Sequence, residues 1–242
     1  MKQIILFSGG LDSVCAAHLH PEAFLLYINY HGRYCAKEVS HLDETVLFLN
    51  RNINVINNRL NLEGLEVGEG AFLPNRNALL ILTAATCFSN VRFPEENEIR
   101  FILNATAAGI HPDKDQTFAE MLTHLMNYMN RGGKDSKAVI YHIDLPTRYL
   151  TKPEIVHLYL EKNGSHRALR SATSCYDANQ RQCGHCRSCL RKYVALVWNG
   201  LDAGDFSTSP AHQFKMVRER CHAHTWCSNP KEEAQTLEVV GA

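Results

Sequence analysis

The stretch Ser8-Gly9-Gly10-Leu11-Asp12-Ser13 constrains this chain more than any other. The apolar run Ile4-Ile5-Leu6-Phe7 leads into it and reads as a buried strand, while Val14-Cys15-Ala16-Ala17-His18-Leu19 leaves it with the look of a helix. Paired glycines let the backbone take positive φ and approach a ligand closely. The helix that follows offers unpaired N–H groups and a partial positive charge. Such a junction is an anion site, to which Ser8 and Ser13 add hydroxyl donors. Asp12 is out of place beside a phosphate unless Mg2+ accompanies the ligand or the carboxylate caps the helix. The phosphate reading is a magnesium-bound nucleotide; the competing one is a plain strand-to-helix turn with Asp12 or Ser13 as N-cap.

The hexapeptide has neither the Gly-Lys-Ser/Thr ending of a Walker loop nor the Gly-x-Gly-x-x-Gly spacing of a dinucleotide site. It resembles the pyrophosphate loop of the N-type ATP pyrophosphatases, which split ATP into AMP and pyrophosphate while adenylating a substrate. The resemblance implies that Ser8, Gly9, Gly10, Leu11, Asp12 and Ser13 hold the ATP phosphates, with Mg2+ as companion.

Downstream, Phe24 to Asn29 reads as a second buried strand, 33–50 as a helix through Cys35, Val39, Leu42, Val46 and Leu49, and Asn54-Val55-Ile56 as a third strand. This alternation is the opening of a doubly wound parallel α/β sheet, in which ligands sit beyond the carboxyl ends of the strands. Arg33, just after strand two, is thus a candidate ATP or substrate contact, against the reading of a solvated first-turn arginine. Residues 57–71, rich in Asn and Gly, read as a mobile connection or lid. Pro74-Asn75-Arg76-Asn77 opens an apolar helix through Phe88. There Arg76 is either an anion clamp or a surface ion-pair partner. Further strands are expected at Phe101-Ile102-Leu103-Asn104 and Val139 to Ile143, with helices over 116–130 and from Thr151 to Lys162. Asp113 and Asp115 precede the first of these helices and read as partners of its dipole, against the reading of a contact to Mg2+ or substrate. Thr151-Lys152-Pro153-Glu154 is a capping box and reads as structural.

Lys plus Arg and Asp plus Glu both number 25, so no global field argues for nucleic acid or a membrane surface. No apolar run is long enough to span a bilayer, and the chain is expected to be cytoplasmic. The nine cysteines would be many for such a chain unless some bind metal, and four cluster as Cys175-x7-Cys183-x2-Cys186-x2-Cys189. Four thiolates at this spacing close a tetrahedral zinc, leaving no open position for water, so the metal is expected to be structural. An iron–sulfur cluster is the competing group. Cys221 and Cys227 match no argued site. The expected organisation is a nucleotide-binding α/β domain over 1–165, a zinc-binding helical segment over 166–228 and a flexible tail over 229–242.

The glycine loop, Asn29-Tyr30-His31-Gly32-Arg33, Phe72-Leu73-Pro74-Asn75-Arg76-Asn77, Ser174-Cys175-Tyr176 and Cys183-Gly184-His185-Cys186-Arg187-Ser188-Cys189 together resemble the 7-cyano-7-deazaguanine synthase (QueC) family from about Gln3 to Val194. The resemblance implies an ATP-dependent ligase that adenylates the carboxylate of 7-carboxy-7-deazaguanine and, with ammonia, makes the nitrile. It also implies a homodimer, roles for Arg76 in catalysis and Asn77 in the nucleotide crevice, and zinc on the four cysteines. The departures lie on the substrate side: Tyr-x-Gln-Arg is Tyr30-His31-Gly32-Arg33, Pro-Gly-Arg-Asn is Pro74-Asn75-Arg76-Asn77, and Ala105 to Asp113 lacks the acidic residues usual before Gly-Tyr-Pro-Asp. Two alternatives follow. One is a QueC-like paralogue of anti-phage defence that joins a deazaguanine to a protein amine; the other is a tRNA sulfurtransferase, which would need a catalytic cysteine among Cys15, Cys35 and Cys87.

Overall fold

The computed structural model describes residues 1–57, 61–67, 73–88, 97–107, 112–132, 138–173, 175–177 and 182–241. Five strands, β1 (Lys2–Leu6), β2 (Phe24–Asn29), β3 (Ile53–Asn57), β4 (Glu98–Ile102) and β5 (Ile140–Asp144), form one sheet in the order β3-β2-β1-β4-β5. Every pairing is parallel, with Ile4 opposite both Phe24 and Phe101. The helices are α1 (Leu11–Leu19), α2 (Cys35–Leu49), α3 (Arg76–Phe88), α4 (Gln116–Met129), α5 (Lys152–Glu161), α6 (His166–Ser171), α7 (Arg187–Trp198), α8 (Phe214–His222) and α9 (Pro230–Gly241). None is long and apolar enough to cross a membrane.

The strands read as unbroken apolar runs because both faces of the sheet are covered. Ile5, Phe7, Leu25 and Tyr27 pack on one face with residues of α1, α2, α5, α6 and α7. Ile4, Leu26, Ile28, Phe101 and Tyr141, one residue out of step, pack on the other with α3 and α4. Because α6 and α7 share the core of the first face, the zinc-segment helices are built onto the sheet.

Strand β4, which lies between β1 and β5, begins three residues earlier than the apolar letters suggest. β4 starts at Glu98 because Arg100 sits inside a strand, where it pairs with Asp144 of β5 at 3.2 Å. The connection 57–71 is described only in part. Within it Leu62 is buried against Tyr30, Cys35 and Leu73, and its amide donates to the Tyr30 carbonyl at 3.1 Å, so this portion is anchored. The capping box forms as expected, and Asp115 caps α4 through the Phe118 amide at 2.7 Å. Residues 58–60, 68–72, 108–111, 133, 134 and 174, which carried parts of other sequence readings, lie outside the described residues.

The tail does not fray. Residues 230–241 form α9, whose buried face carries Glu232, Glu233, Gln235, Thr236 and Val240. Glu232 explains the packing: Oε1 accepts from Arg191 Nε of α7 at 2.6 Å and Oε2 from the Lys152 amide at the start of α5 at 3.2 Å. Glu232→Ala is expected to strand Arg191 and cost about 3 kcal/mol, a fall of roughly 6–12 °C in melting temperature. A change below about 2 °C in a thermal melt would show that α9 docks without this pair.

Candidate active site and metal centre

The strand order reverses at β1, since β2 and β3 lie on one side of it and β4 and β5 on the other. A crevice opens there beyond the carboxyl ends of the strands. It holds a cavity of about 200 Å³ lined by Ser8, Gly10, Asp12 and Ser13 of the glycine loop, by Arg76 and Asn77 of α3, and by Lys114. Apolar side chains of β1, β2, α3 and the end of β4 complete it, together with Glu38 and Tyr30.

Gly9 makes the loop. Its φ of +72° is left-handed, and its carbonyl accepts from the Thr173 amide at 2.9 Å. Gly10 is the residue at the helix N-cap, and no side chain caps α1. Neither Asp12 nor Ser13 is therefore the cap that the plain-turn reading expected. Ser8 and Ser13 hydroxyls lie 3.1 Å apart, and Ser13 Oγ donates to the Gly10 carbonyl at 2.9 Å, which closes the loop around its own hydroxyls.

Asp12 is paired with the ammonium of Lys152, brought 140 residues along the chain by the second position of the α5 capping box. Burial pushes the Asp12 carboxyl up, but the Lys152 charge, with Arg191 and Lys114 behind it, outweighs this and holds it below the usual carboxylate range. Lys114 sits in the 3-10 turn Pro112–Lys114, and burial followed by repulsion from Arg76 pulls its pKa down. These two lysines escaped the sequence reading: one lay in a box read as structural, the other beside two aspartates that drew the attention. Only the fold brings them to the loop.

Arg76 lies in the cavity wall, its charge favoured by Tyr30, Glu38 and Asp113 against the cost of burial. Asn77 is buried and its Nδ2 donates to the Asp113 carbonyl (3.1 Å) and Oδ2 (2.9 Å). Asp113 thus ties the Lys114 turn to α3. Arg33 departs from expectation. It is exposed, its guanidinium lies 5.7 Å from the Tyr34 ring centre, its amide donates to Glu66 at 2.6 Å, and it is absent from the described cavity wall. Leu11 and Gly9 serve the loop from behind: Leu11 lines the cavity but is buried in the core, and Gly9 shapes the turn without lining it.

Cys175, Cys183, Cys186 and Cys189 bring their four sulfurs within 4.8 Å of one another, and the Cys183 and Cys189 sulfurs are 4.0 Å apart. A tetrahedron with metal–sulfur bonds of about 2.3 Å has edges near ~3.8 Å, so the residues fit zinc. Amides of Cys183 and Asp177 donate to Cys175 Sγ, and that of Cys186 to Cys183 Sγ, each at 3.3 Å. Such donors favour thiolates. Gly184 is required: its φ is +82°, and a Cβ there would lie 1.8 Å from the Thr208 carbonyl oxygen. The centre is joined to the glycine loop by the short run from Thr173 to Cys175, and Lys37 of α2 donates to the carbonyls of Cys175 (3.1 Å) and Asp177. Cys221 and Cys227 are buried beside Trp226 in a separate cluster.

Cys186→Ser is expected to lower bound zinc and the melting temperature by roughly 10 °C. Through Thr173 it should also slow any reaction at the glycine loop. An unchanged melt with normal metal content by elemental analysis would remove the structural role.

Residues 2–200 match the sequence profile of the family described as Queuosine biosynthesis protein QueC. Among individual proteins, the chain is 26% identical to 7-cyano-7-deazaguanine synthase 2 of Sulfurisphaera tokodaii, covering 83% of this chain and 46% of that protein. It is 25% identical to the 7-cyano-7-deazaguanine synthase of Methanosarcina barkeri (81% of this chain, 94% of the relative) and 24% identical to that of Brucella canis (84% and 91%). The chain therefore spans about half the length of the archaeal relative from Sulfurisphaera and nearly all of the other two. With the glycine loop at the switch point and four cysteines behind it, the chain belongs to the QueC family.

Proposed function

We propose that this chain adenylates the carboxylate of 7-carboxy-7-deazaguanine with ATP and converts it with ammonia to 7-cyano-7-deazaguanine. The observation that carries the reading is the cavity in which an uncapped helix N-terminus, Lys114 and Arg76 surround one space at the switch point of the sheet. The carboxylate attacks the α-phosphorus of ATP, pyrophosphate leaves, and ammonia displaces AMP to give the amide. A second ATP activates the amide oxygen, and loss of AMP with the remaining amide protons gives the nitrile. No protein nucleophile is needed, so the side chains act by positioning and charge.

The roles follow from geometry. The N-terminus of α1, with the Ser8 and Ser13 hydroxyls, holds the departing pyrophosphate. Lys114 and Lys152 offset charge growing on it, and Arg76 takes the reacting carboxylate or the α-phosphate bidentately. Mg2+ bound with the nucleotide would neutralise phosphate charge. Asp12, kept ionised by Lys152, and the two serine hydroxyls are the hard oxygen donors that would hold it.

The described part of the stretch after β4, Leu103 to Ala107, carries no carboxylate, which favours the protein-amine acceptor as a second reading. The sulfurtransferase reading loses ground. No cysteine is found among the described residues lining the cavity, Cys15 and Cys35 are buried, and burial pushes both thiols up.

Purified protein with magnesium-ATP, 7-carboxy-7-deazaguanine and ammonium is expected to yield the nitrile, AMP and pyrophosphate by mass spectrometry. ATP cleavage without nitrile would sink the ammonia reading in favour of another acceptor. Asp12→Ala should cut pyrophosphate release by at least about 100-fold while zinc content stays at the wild-type level. Loss of both would indicate failed folding.

A further inference from the structure

Glu38 is the one carboxylate besides Asp12 among the described residues lining the cavity, and the mechanism above gives it no task. It stands in the first turn of α2, half-buried. The Tyr27 hydroxyl, rising from β2, donates to Oε2 at 3.0 Å and also to the Cys35 carbonyl at 3.3 Å, which fixes the carboxylate at the root of the helix. Oε1 has no hydrogen bond to any described residue. Burial pushes the carboxyl up to about 7, against the pull of the Tyr27 hydrogen bond and the charges of Arg76 and Lys37. Its second oxygen is an acceptor without a donor among the described residues, and a ligand that brings N–H groups supplies one.

The surrounding wall narrows the ligand. Leu6, Phe7, Leu26, Ile28, Leu80 and Leu103 line the same cavity, an apolar lining suited to a flat heteroaromatic ring. We infer that Glu38 is the base-reading residue of this site, its free oxygen accepting from the amino-bearing edge of a purine-type ring. This rests on the reading of the cavity as the place where a deazaguanine acid and ATP meet. The chemistry is shared by two sources: the N1–H and 2-amino group of the deazaguanine, and the 6-amino group of adenine.

Desamino analogues separate the sources. Wild-type enzyme is assayed for pyrophosphate release with 7-carboxy-7-deazaguanine and its analogue lacking the 2-amino group, and for equilibrium binding of ATP and its analogue lacking the 6-amino group. Loss of a hydrogen bond to a charged acceptor should weaken one of the two pairs by about 10- to 100-fold. In E38Q, shown folded by an unchanged zinc content and melt, that preference should shrink to within about threefold. E38D, which keeps the charge, should retain part of it. Preference for the 2-amino group places the deazaguanine edge at Glu38; preference for the 6-amino group places adenine there. Equal handling of both pairs by the wild type, or a preference that survives in E38Q, overturns the inference. The nucleotide arm needs no acceptor, so a protein that turns over no deazaguanine acid but still reads the 6-amino group through Glu38 upholds this inference while the proposed function fails.

Discussion

The left-handed backbone of Gly9 is the constraint on which the site depends. It turns the chain from β1 into α1 so sharply that the helix begins without a side-chain cap, which leaves its N-terminal charge facing the crevice. The same conformation aims the Gly9 carbonyl at the Thr173 amide, two residues before the first cysteine of the metal centre. A Cβ at Gly9 would have ordinary room, 3.5 Å from Leu42, so the requirement is conformational and not one of space. Any other residue would have to take φ near +72° in a loop whose position the core behind it has already fixed.

A second layer of order is electrostatic. Lys152 is 8% exposed and faces Asp12; Arg191 is held by Glu232, which also accepts from the Lys152 amide. Helices α1, α5, α7 and α9 thus converge on alternating charges directly beneath the glycine loop. Isolated buried ion pairs contribute little net stability, because desolvation cancels much of the attraction. Their effect here is geometric: each carboxylate fixes the position of a cation that a polyanionic ligand would otherwise meet as a mobile side chain. The site is therefore preorganised before phosphate arrives.

Much of this was legible in the sequence, and the reasons for the rest are specific. The parallel sheet followed from apolar runs such as Phe24 to Ile28, the glycine loop from its place between strand and helix, and the metal centre from Cys-x2-Cys spacing. All three are local patterns. Lys152 and Lys114 were invisible because their partners lie across the fold. Arg33 took the exposed one of its two readings, because proximity to a strand end does not say which way a side chain turns. Helix α9 was missed for another reason: its buried face carries Glu232, Glu233, Gln235 and Thr236, so a reading that equates burial with apolar letters inverts the face.

The departures from the family pattern are not uniformly losses. Asn75 stands where a glycine is usual, yet its φ is +60°, and asparagine tolerates that region better than other side chains. The backbone that presents Arg76 is thereby kept. At Gly32 a Cβ would lie 2.3 Å from the Tyr30 ring. The small residue lets Tyr30 fold against the chain and hydrogen-bond Arg76 from the cavity wall. Glu38 lines the same cavity and lies close enough to Arg76 for each charge to shift the other's ionisation. On the proposed reading, that carboxylate and that guanidinium face the substrate, while the hexapeptide faces the phosphates.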